Sequence, residues 1–280
     1  MAIGDVIDLL ACPQCRRPLA LTPGAPSAHC PVGHAYDLAR QGYLNLLSGR
    51  GPKNADTAAM VAARERFLGG GHYAPLADRL AQLAAARAPA AARVLEVGAG
   101  TGYYLAQVLQ ALPEARGVAL DVSVPAARRA AGAHLRVGSV VADVWRRMPL
   151  LDGCVDVLVD VFAPRNGDEF ARLLSTTGVL IVVVPGPEHL RELRVGLGLL
   201  GIQAEKGEQL RSRLGSALIR QAQEQLRFDV GLDVAAVRDL VAMGPNAFHL
   251  TAAEIEELAR SVAAPVNVSV AVELSVWTRG

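Results

Sequence analysis

Three of the four cysteines fall within the first thirty residues, as Cys12-Pro-Gln-Cys15 and Cys30-Pro-Val-Gly-His34. Two thiolates two residues apart fit one tight knuckle around a tetrahedral ion, and the Cys30/His34 pair supplies the other edge. Thiolate with imidazole suits zinc. Four protein ligands leave no open position, so Cys12, Cys15, Cys30 and His34 are expected to hold one structural ion. His29, beside Cys30, is the alternative to His34 as fourth ligand. A segment this short buries little apolar surface, so the metal is expected to supply its folding free energy. Over residues 12–54, Arg16, Arg17, Arg40, Arg50 and Lys53 stand against Asp37 alone. That composition suits either a solvated surface or a phosphate-binding face, with Tyr36 and Tyr43 available to stack on bases.

A second constellation begins at Val94-Leu95-Glu96-Val97-Gly98-Ala99-Gly100-Thr101-Gly102, an apolar strand running into a glycine-rich turn. A dinucleotide site calls for G-x-G-x-x-G with pyrophosphate at the helix N-terminus. Here the third glycine comes one residue early, and Glu96 would repel a pyrophosphate. The same carboxylate would attract an ammonium group. S-adenosylmethionine carries an ammonium and a sulfonium and no phosphate. Asp121 closes the next strand, where a carboxylate can accept bonds from both ribose hydroxyls. Asp143 follows Val140-Val141-Ala142 and could accept from the adenine amino group. Asp160-Val161-Phe162-Ala163-Pro164 ends a further strand at the sheet's carboxyl edge. An aromatic and a proline there suit a flat base, and Asp160 is the candidate proton acceptor by position.

The elements that must carry these residues follow from the pattern. Residues 54–69 read as a helix capped by Asp56 or Thr57, and a second helix runs from about Pro75 to Ala86. From Arg93 onward, strand-like runs (93–97, 115–120, 135–141, 155–161, 178–184) alternate with helical ones (102–112, 124–131, 169–174, 188–200). That alternation predicts a parallel sheet covered on both faces. Residues 232–243 and 251–262 read as helices, and Val266–Trp277 as a long strand. The expected division is a zinc-binding module over 1–50, a helical linker region over 51–90 and an α/β domain over 91–280.

The chain has 280 residues, 51% apolar and 20% charged, with a net charge of +1. This excludes a polybasic tail, and no apolar run is long enough to span a bilayer. Met1–Leu10 carries Asp5 and Asp8 and no basic stretch, so no signal peptide is expected and the cytoplasm is the expected compartment. Aromatics are only 4% of the chain, so the core must be Ala, Val and Leu.

Taken together, the residues resemble the 23S ribosomal RNA guanine-N1-methyltransferase family, in particular its actinobacterial macrolide (tylosin/mycinamicin)-resistance type. The resemblance runs from the cysteine knuckles through Tyr36-Asp-Leu-Ala-Arg-Gln-Gly-Tyr-Leu-Asn-Leu-Leu47, Met60-Val-Ala-Ala-Arg64 and Gly71-His-Tyr-Ala-Pro-Leu76. Beyond the glycine loop it includes Gly102-Tyr-Tyr104, Phe162-Ala-Pro164, Pro185-Gly-Pro-Glu-His-Leu190 and Met243-Gly-Pro245. It implies a Rossmann-like S-adenosylmethionine-dependent methyltransferase domain, with a mostly parallel seven-stranded sheet. It implies methyl transfer to guanine N1 in hairpin 35 of 23S rRNA (nucleotide 748 type), RNA recognition by the zinc-binding module over 1–50 with its basic residues Arg16, Arg17, Arg40, Arg50 and Lys53, macrolide resistance and a homodimer. It also implies that Tyr73, Tyr104, Leu105 and His189 join Glu96, Gly98, Gly100, Gly102, Asp121 and Asp143 around the cofactor. Two alternatives stand beside it. One is a small-molecule methyltransferase for which residues 1–50 would be dispensable; the other is a non-catalytic zinc-dependent RNA-binding protein.

Overall fold

A computed structural model of the chain describes residues 2–49, 51–52, 54–197, 214–215, 217–263 and 265–280. In the N-terminal segment β1 (Ala20–Leu21), β2 (Ser27–His29) and β3 (Ala35–Asp37) form a small antiparallel sheet, followed by β4 (Tyr43–Asn45). Helix α1 (Ala58–Gly69) starts at Thr57, whose side chain accepts from the Met60 amide; Asp56 instead pairs with Arg64. Helix α2 (Ala74–Ala85) has Pro75 in its first turn, where the missing amide hydrogen costs nothing.

The central strands are β5 (Arg93–Val97), β6 (Arg116–Asp121), β7 (Val137–Val141), β8 (Val155–Val161) and β9 (Leu174–Pro185), with β10 (Leu218–Leu232) and β11 (Val266–Arg279) closing the chain. Their order is β10-β11-β9-β8-β5-β6-β7-β4. Neighbours from β9 to β4 run parallel, and β11 pairs antiparallel with both β9 and β10. The order reverses between β5 and β8. In open α/β sheets the carboxyl ends of two such strands flank the ligand crevice. The connecting helices include α3 (Tyr103–Ala111), α4 (Val124–Ala130) and α5 (Gly167–Leu173), followed by α6 (Arg191–Leu197), α7 (Val234–Ala242) and α8 (Ala252–Ser261). Residues 198–200, expected to continue α6, lie outside the described residues.

The seven strands that the resemblance implies are β5 to β11. An eighth, β4, comes from the cysteine-bearing segment and adds itself parallel to β7, Leu44 opposite Val140. Alternation along each strand splits the core between two faces. Val94, Val157 and Val159 face one layer with α2 and α3; Leu95, Val97, Val118 and Leu158 face the other. That second layer contains Ile3, Val6, Leu10, Cys12, Cys30 and Leu44, so the metal-binding segment packs into the core of the main sheet. Deleting residues 1–50 would uncover that face. Nothing in the linear pattern predicts β10, whose first half carries the polar run Arg220, Gln221, Gln223, Glu224 and Gln225, broken only by Ala222. Its pairing with β11 runs from Leu218–Arg279 to Leu232–Val266 and imposes the strand.

Candidate functional site

The metal ligands come together as their spacing requires. One ligand atom from each of Cys12, Cys15, Cys30 and His34 lies within 4.8 Å of every other. Cys15 Sγ is 3.5 Å from Cys30 Sγ, and His34 Nδ1 is 3.5 Å and 3.4 Å from the sulfurs of Cys12 and Cys30. Thiolates at about 2.3 Å from a tetrahedral ion stand a little under 4 Å apart, so the cluster fits zinc. The first knuckle closes through the Arg16 amide, which donates to the Cys12 carbonyl with Arg16 at φ 65°. Burial pushes the Cys12 thiol up, but hydrogen bonds from the Tyr36 hydroxyl and nearby backbone outweigh it and bring the thiol down to about 6. A ligand sulfur must be deprotonated, so this environment favours the metal-binding form. His29 sits on β2 bonded to Thr22 and takes no part in the cluster.

The second site is a cleft of about 590 Å³ at the carboxyl ends of β5 and β8. Of the residues expected around a cofactor, Tyr73, Glu96, Gly98, Gly100, Tyr104, Asp121, Asp143 and His189 line it. Gly102 and Leu105 do not. Gly102 begins α3 and lies against Ala130 and Ala133 of the α4 region; the Leu105 side chain is buried beneath Gly117. Leu105 nonetheless acts on the site, because its amide donates to Glu96 Oε2 at 3.0 Å. The loop needs glycine at Gly98, where φ is +60° and a Cβ would stand 2.6 Å from the Ala163 Cβ. Asp121 holds the loop in place: Oδ2 accepts from the Gly100 amide and Oδ1 from the Ser123 amide, both at 2.8 Å.

The chemistry of this donor set fits S-adenosylmethionine. Glu96 is fully buried, and burial, reinforced by Asp121 and Asp160 and only partly opposed by the Leu105 amide, pushes its carboxyl up to about 8. Burial likewise raises Asp121. For Glu96 this favours the protonated carboxyl at neutral pH. Its contribution to stability is present below the ordinary carboxylate range and is lost as pH rises towards 8. An ammonium group brought beside it would favour the ionised form. Cofactor binding at pH 7 is therefore expected to release up to one proton. Calorimetry in phosphate and in Tris should give binding enthalpies that differ accordingly, and Glu96→Gln should remove the difference. Buffer-independent enthalpies for the wild type would refute this.

Tyr73, Phe162 and His189 also line the cleft and cluster, with ring centroids 5.7–6.4 Å apart. The Ala271 amide donates to His189 Nδ1 at 3.3 Å, which places the proton of the neutral imidazole on Nε2, 3.4 Å from the Tyr73 oxygen. Burial lowers His189 to about 4 and raises Tyr73, so both are neutral. Tyr73 thus accepts from His189 and keeps its own O–H for the cleft. Phe162 is held at φ 54°, in the left-handed region that a bulky residue rarely enters, which turns the chain sharply at the end of β8.

Asp160 departs from expectation. It is completely buried, does not line the cleft and pairs with Arg165, Oδ1 to Nε at 3.5 Å. The reason is strand alternation: Asp160 shares a face with Leu158, in the layer opposite Val159 and Val161. Its position gives it a structural ion pair rather than a proton to accept. Among the lining residues to which the sequence reading gives no role in the cleft are Arg64 and Trp145. Arg64 pairs with Asp56, donates to the Met243 carbonyl at 2.9 Å and lies over Gly100. Trp145 stands at the rim. Of the basic residues, Arg16, Arg17 and Arg40 are exposed; Arg50 and Lys53 lie outside the described residues.

A glycine cradle with acidic residues at the switch point of a mostly parallel sheet, beside a Cys3His zinc cluster, defines an S-adenosylmethionine-dependent methyltransferase carrying a zinc ribbon. The family described as "RlmA, N-terminal" matches residues 10–50, and "Methyltransferase domain" matches residues 94–178. The 23S rRNA (guanine(748)-N(1))-methyltransferase of Streptomyces fradiae is 45% identical over 261 residues, covering 92% of this chain and 91% of that protein. A Micromonospora griseorubida protein provisionally assigned as a 23S rRNA (guanine-N(1)-)-methyltransferase is 45% identical over 287 residues, 97% of each chain. This chain belongs to the 23S rRNA guanine-N1-methyltransferase family. Among solved structures, the MccD protein matches 74% of this chain and 98% of its own at a TM-score of 0.51 and 13% identity. YcgJ of Bacillus subtilis matches 71% and 97% at 0.50 and 15%. These two share the fold.

Proposed function

We propose that this enzyme methylates N1 of a guanine in hairpin 35 of 23S rRNA, at the position numbered 748, and thereby confers macrolide resistance. It acts in the cytoplasm as a homodimer. The observation that carries this reading is the 45% identity to the Streptomyces fradiae enzyme named for that nucleotide, which spans zinc ribbon and cleft alike. Among the described residues, no helix is long and apolar enough to cross a membrane.

The bound cofactor supplies an electrophilic methyl on sulfonium. The chain's own residues align and enclose. Glu96 and Asp121 offer carboxylates, Gly98 and Gly100 keep the loop close, and Tyr73 points a hydroxyl proton inward from a bond fixed by His189. Alignment of this kind accounts for much of the acceleration in group transfer. Guanine N1 is reachable only when the base leaves its pair, which makes a hairpin a suitable substrate. N1 methylation blocks pairing, so primer extension on 23S rRNA from cells carrying the gene should stop at hairpin 35. Read-through identical to gene-free cells would refute the proposal.

In this reading the exposed Arg16 and Arg17 form part of a phosphate-binding face on the zinc ribbon. Neutralising both is expected to weaken hairpin binding and flatten its dependence on log salt by roughly one to two units. The affinity for S-adenosylmethionine should stay unchanged, since neither residue lines the cleft. A wild-type salt slope would make this face a solvated surface.

A further inference from the structure

The chain's two tryptophans have opposite environments. Trp277 is 2% exposed in the core, whereas Trp145 is 61% exposed at the rim of the cleft. An exposed ring on a loose loop would need no explanation. This loop is anchored at both ends. Val144 and Met148 on either side are buried. The Trp145 amide donates to Asp143 Oδ1 and the Asn166 side chain to the Val144 carbonyl, both at 2.9 Å. The Met148 amide donates to Glu169 Oε2 at 2.8 Å, and Arg172 donates to the Met148 carbonyl at 3.1 Å. The fold therefore holds an indole outward beside the site, at a cost in apolar exposure that packing does not repay.

The neighbours of Trp145 define what would cover it. Arg146 and Arg147 are about half exposed, and each has one acid nearby: Asp143 at 3.6 Å and Asp152 at 3.2 Å. The loop also touches the zinc ribbon. Arg16 donates to the Arg147 carbonyl at 3.4 Å, and Arg146 donates to the Ser48 carbonyl. Arg16, Arg147, Arg146 and Trp145 thus run from the metal-bearing segment to the cleft. Guanidinium groups with an exposed aromatic ring suit a polyanion with flat bases, because every base has a stackable face and every linkage a phosphate.

We infer that the Trp145-Arg146-Arg147 loop positions the RNA substrate, with Trp145 stacking on a base at the cleft mouth and the arginines gripping the adjoining phosphates. This rests on the reading of the substrate as an RNA hairpin. It assigns Trp145 a positioning role, separate from the cofactor.

The full enzyme and a synthetic hairpin 35 RNA test it. Trp145→Ala is expected to lower kcat/KM for the hairpin roughly tenfold or more, chiefly through KM, with Trp145→Phe recovering most of the loss. S-adenosylmethionine affinity should not change in either variant. RNA titration should quench tryptophan fluorescence in the wild type and not in Trp145→Phe, where only buried Trp277 remains. Wild-type kinetics in Trp145→Ala, or quenching that persists in Trp145→Phe, would overturn the inference. So would a change in sedimentation with unaltered RNA kinetics, which would give this face to a second protein chain. A wild-type enzyme that leaves the hairpin unmethylated would instead overturn the substrate reading, and the loop's role with it.

Discussion

Gly98→Val is expected to abolish measurable S-adenosylmethionine binding, by far the largest effect of any single change in the cleft. At φ +60° the backbone is where L side chains are strained, at a cost of roughly 1–2 kcal/mol. The added Cβ would also stand 2.6 Å from the Ala163 Cβ. Ala163 cannot yield easily, because it lies between Phe162 in the left-handed region and Pro164. The loop must therefore move away from the end of β8, and the overpacking adds roughly 1–3 kcal/mol. Gly100→Ala supplies the contrast. Its Cβ would meet only the Arg64 side chain at 3.2 Å, which can shift, so the strain of φ +55° dominates and the loss should be about tenfold. Calorimetric titration of both variants, with thermal melts as controls for folding, would check this. Gly98→Val binding the cofactor as the wild type does would remove the loop from the site.

The parts of the site that were legible in the sequence are those set by local constraint. A tetrahedral ion demands two short knuckles, so Cys12-x2-Cys15 and Cys30-x3-His34 reveal themselves by spacing. The cradle at Gly98 is likewise a local matter of strand, sharp turn and helix. What the sequence hides is set by distant partners. Arg64 reads as one polar position of α1, and its contact with the Met243 carbonyl crosses most of the chain. Trp145 reads as an apolar residue after a strand, and only the anchoring by Asn166 and Glu169 shows it is held outward. Asp160 misleads because it closes a strand beside genuine cleft residues. Counting by twos from Leu158 places it on the other face, but Arg165 as its partner emerges only from the fold.

The same reasoning applies to the sheet. Strands β5 to β8 are apolar almost throughout, as strands covered on both faces must be, so their positions follow from composition. Strand β10 is mostly exposed, with Leu226, Phe228 and Val230 alternating only in its second half. Strand β4 has three residues, too few for any periodic signal; its place beside β7 is a tertiary outcome.

Losing the metal is expected to undo that outcome. Cys12→Ser should reduce zinc from about one ion per chain to near none. Zinc binding supplies apparent free energies of about 10–16 kcal/mol in small zinc modules, comparable to the whole stability of a domain. Without it, β1, β2 and β3 have little apolar surface of their own to hold them. Because Cys12, Cys30, Leu38 and Leu44 share a core with Val118, Leu120 and Val140, the effect should spread to the sheet. Hydrogen exchange should quicken across residues 12–46 and along the edge of β7 that β4 covered, while the amides of β5, flanked by β6 and β8, stay protected. Residues 3–10 should hold on longer, since Val6 packs closely over Gly138 of β7. The melting temperature of the whole chain should fall, and apolar dye binding should rise as that face is exposed. Chelating the zinc from the wild type should give the same exchange pattern. Full zinc in Cys12→Ser, or unchanged protection at Tyr43–Asn45, would show that the ribbon stands without its ion. Quickened exchange that stops short of β7 would show that β4 is held by the sheet alone.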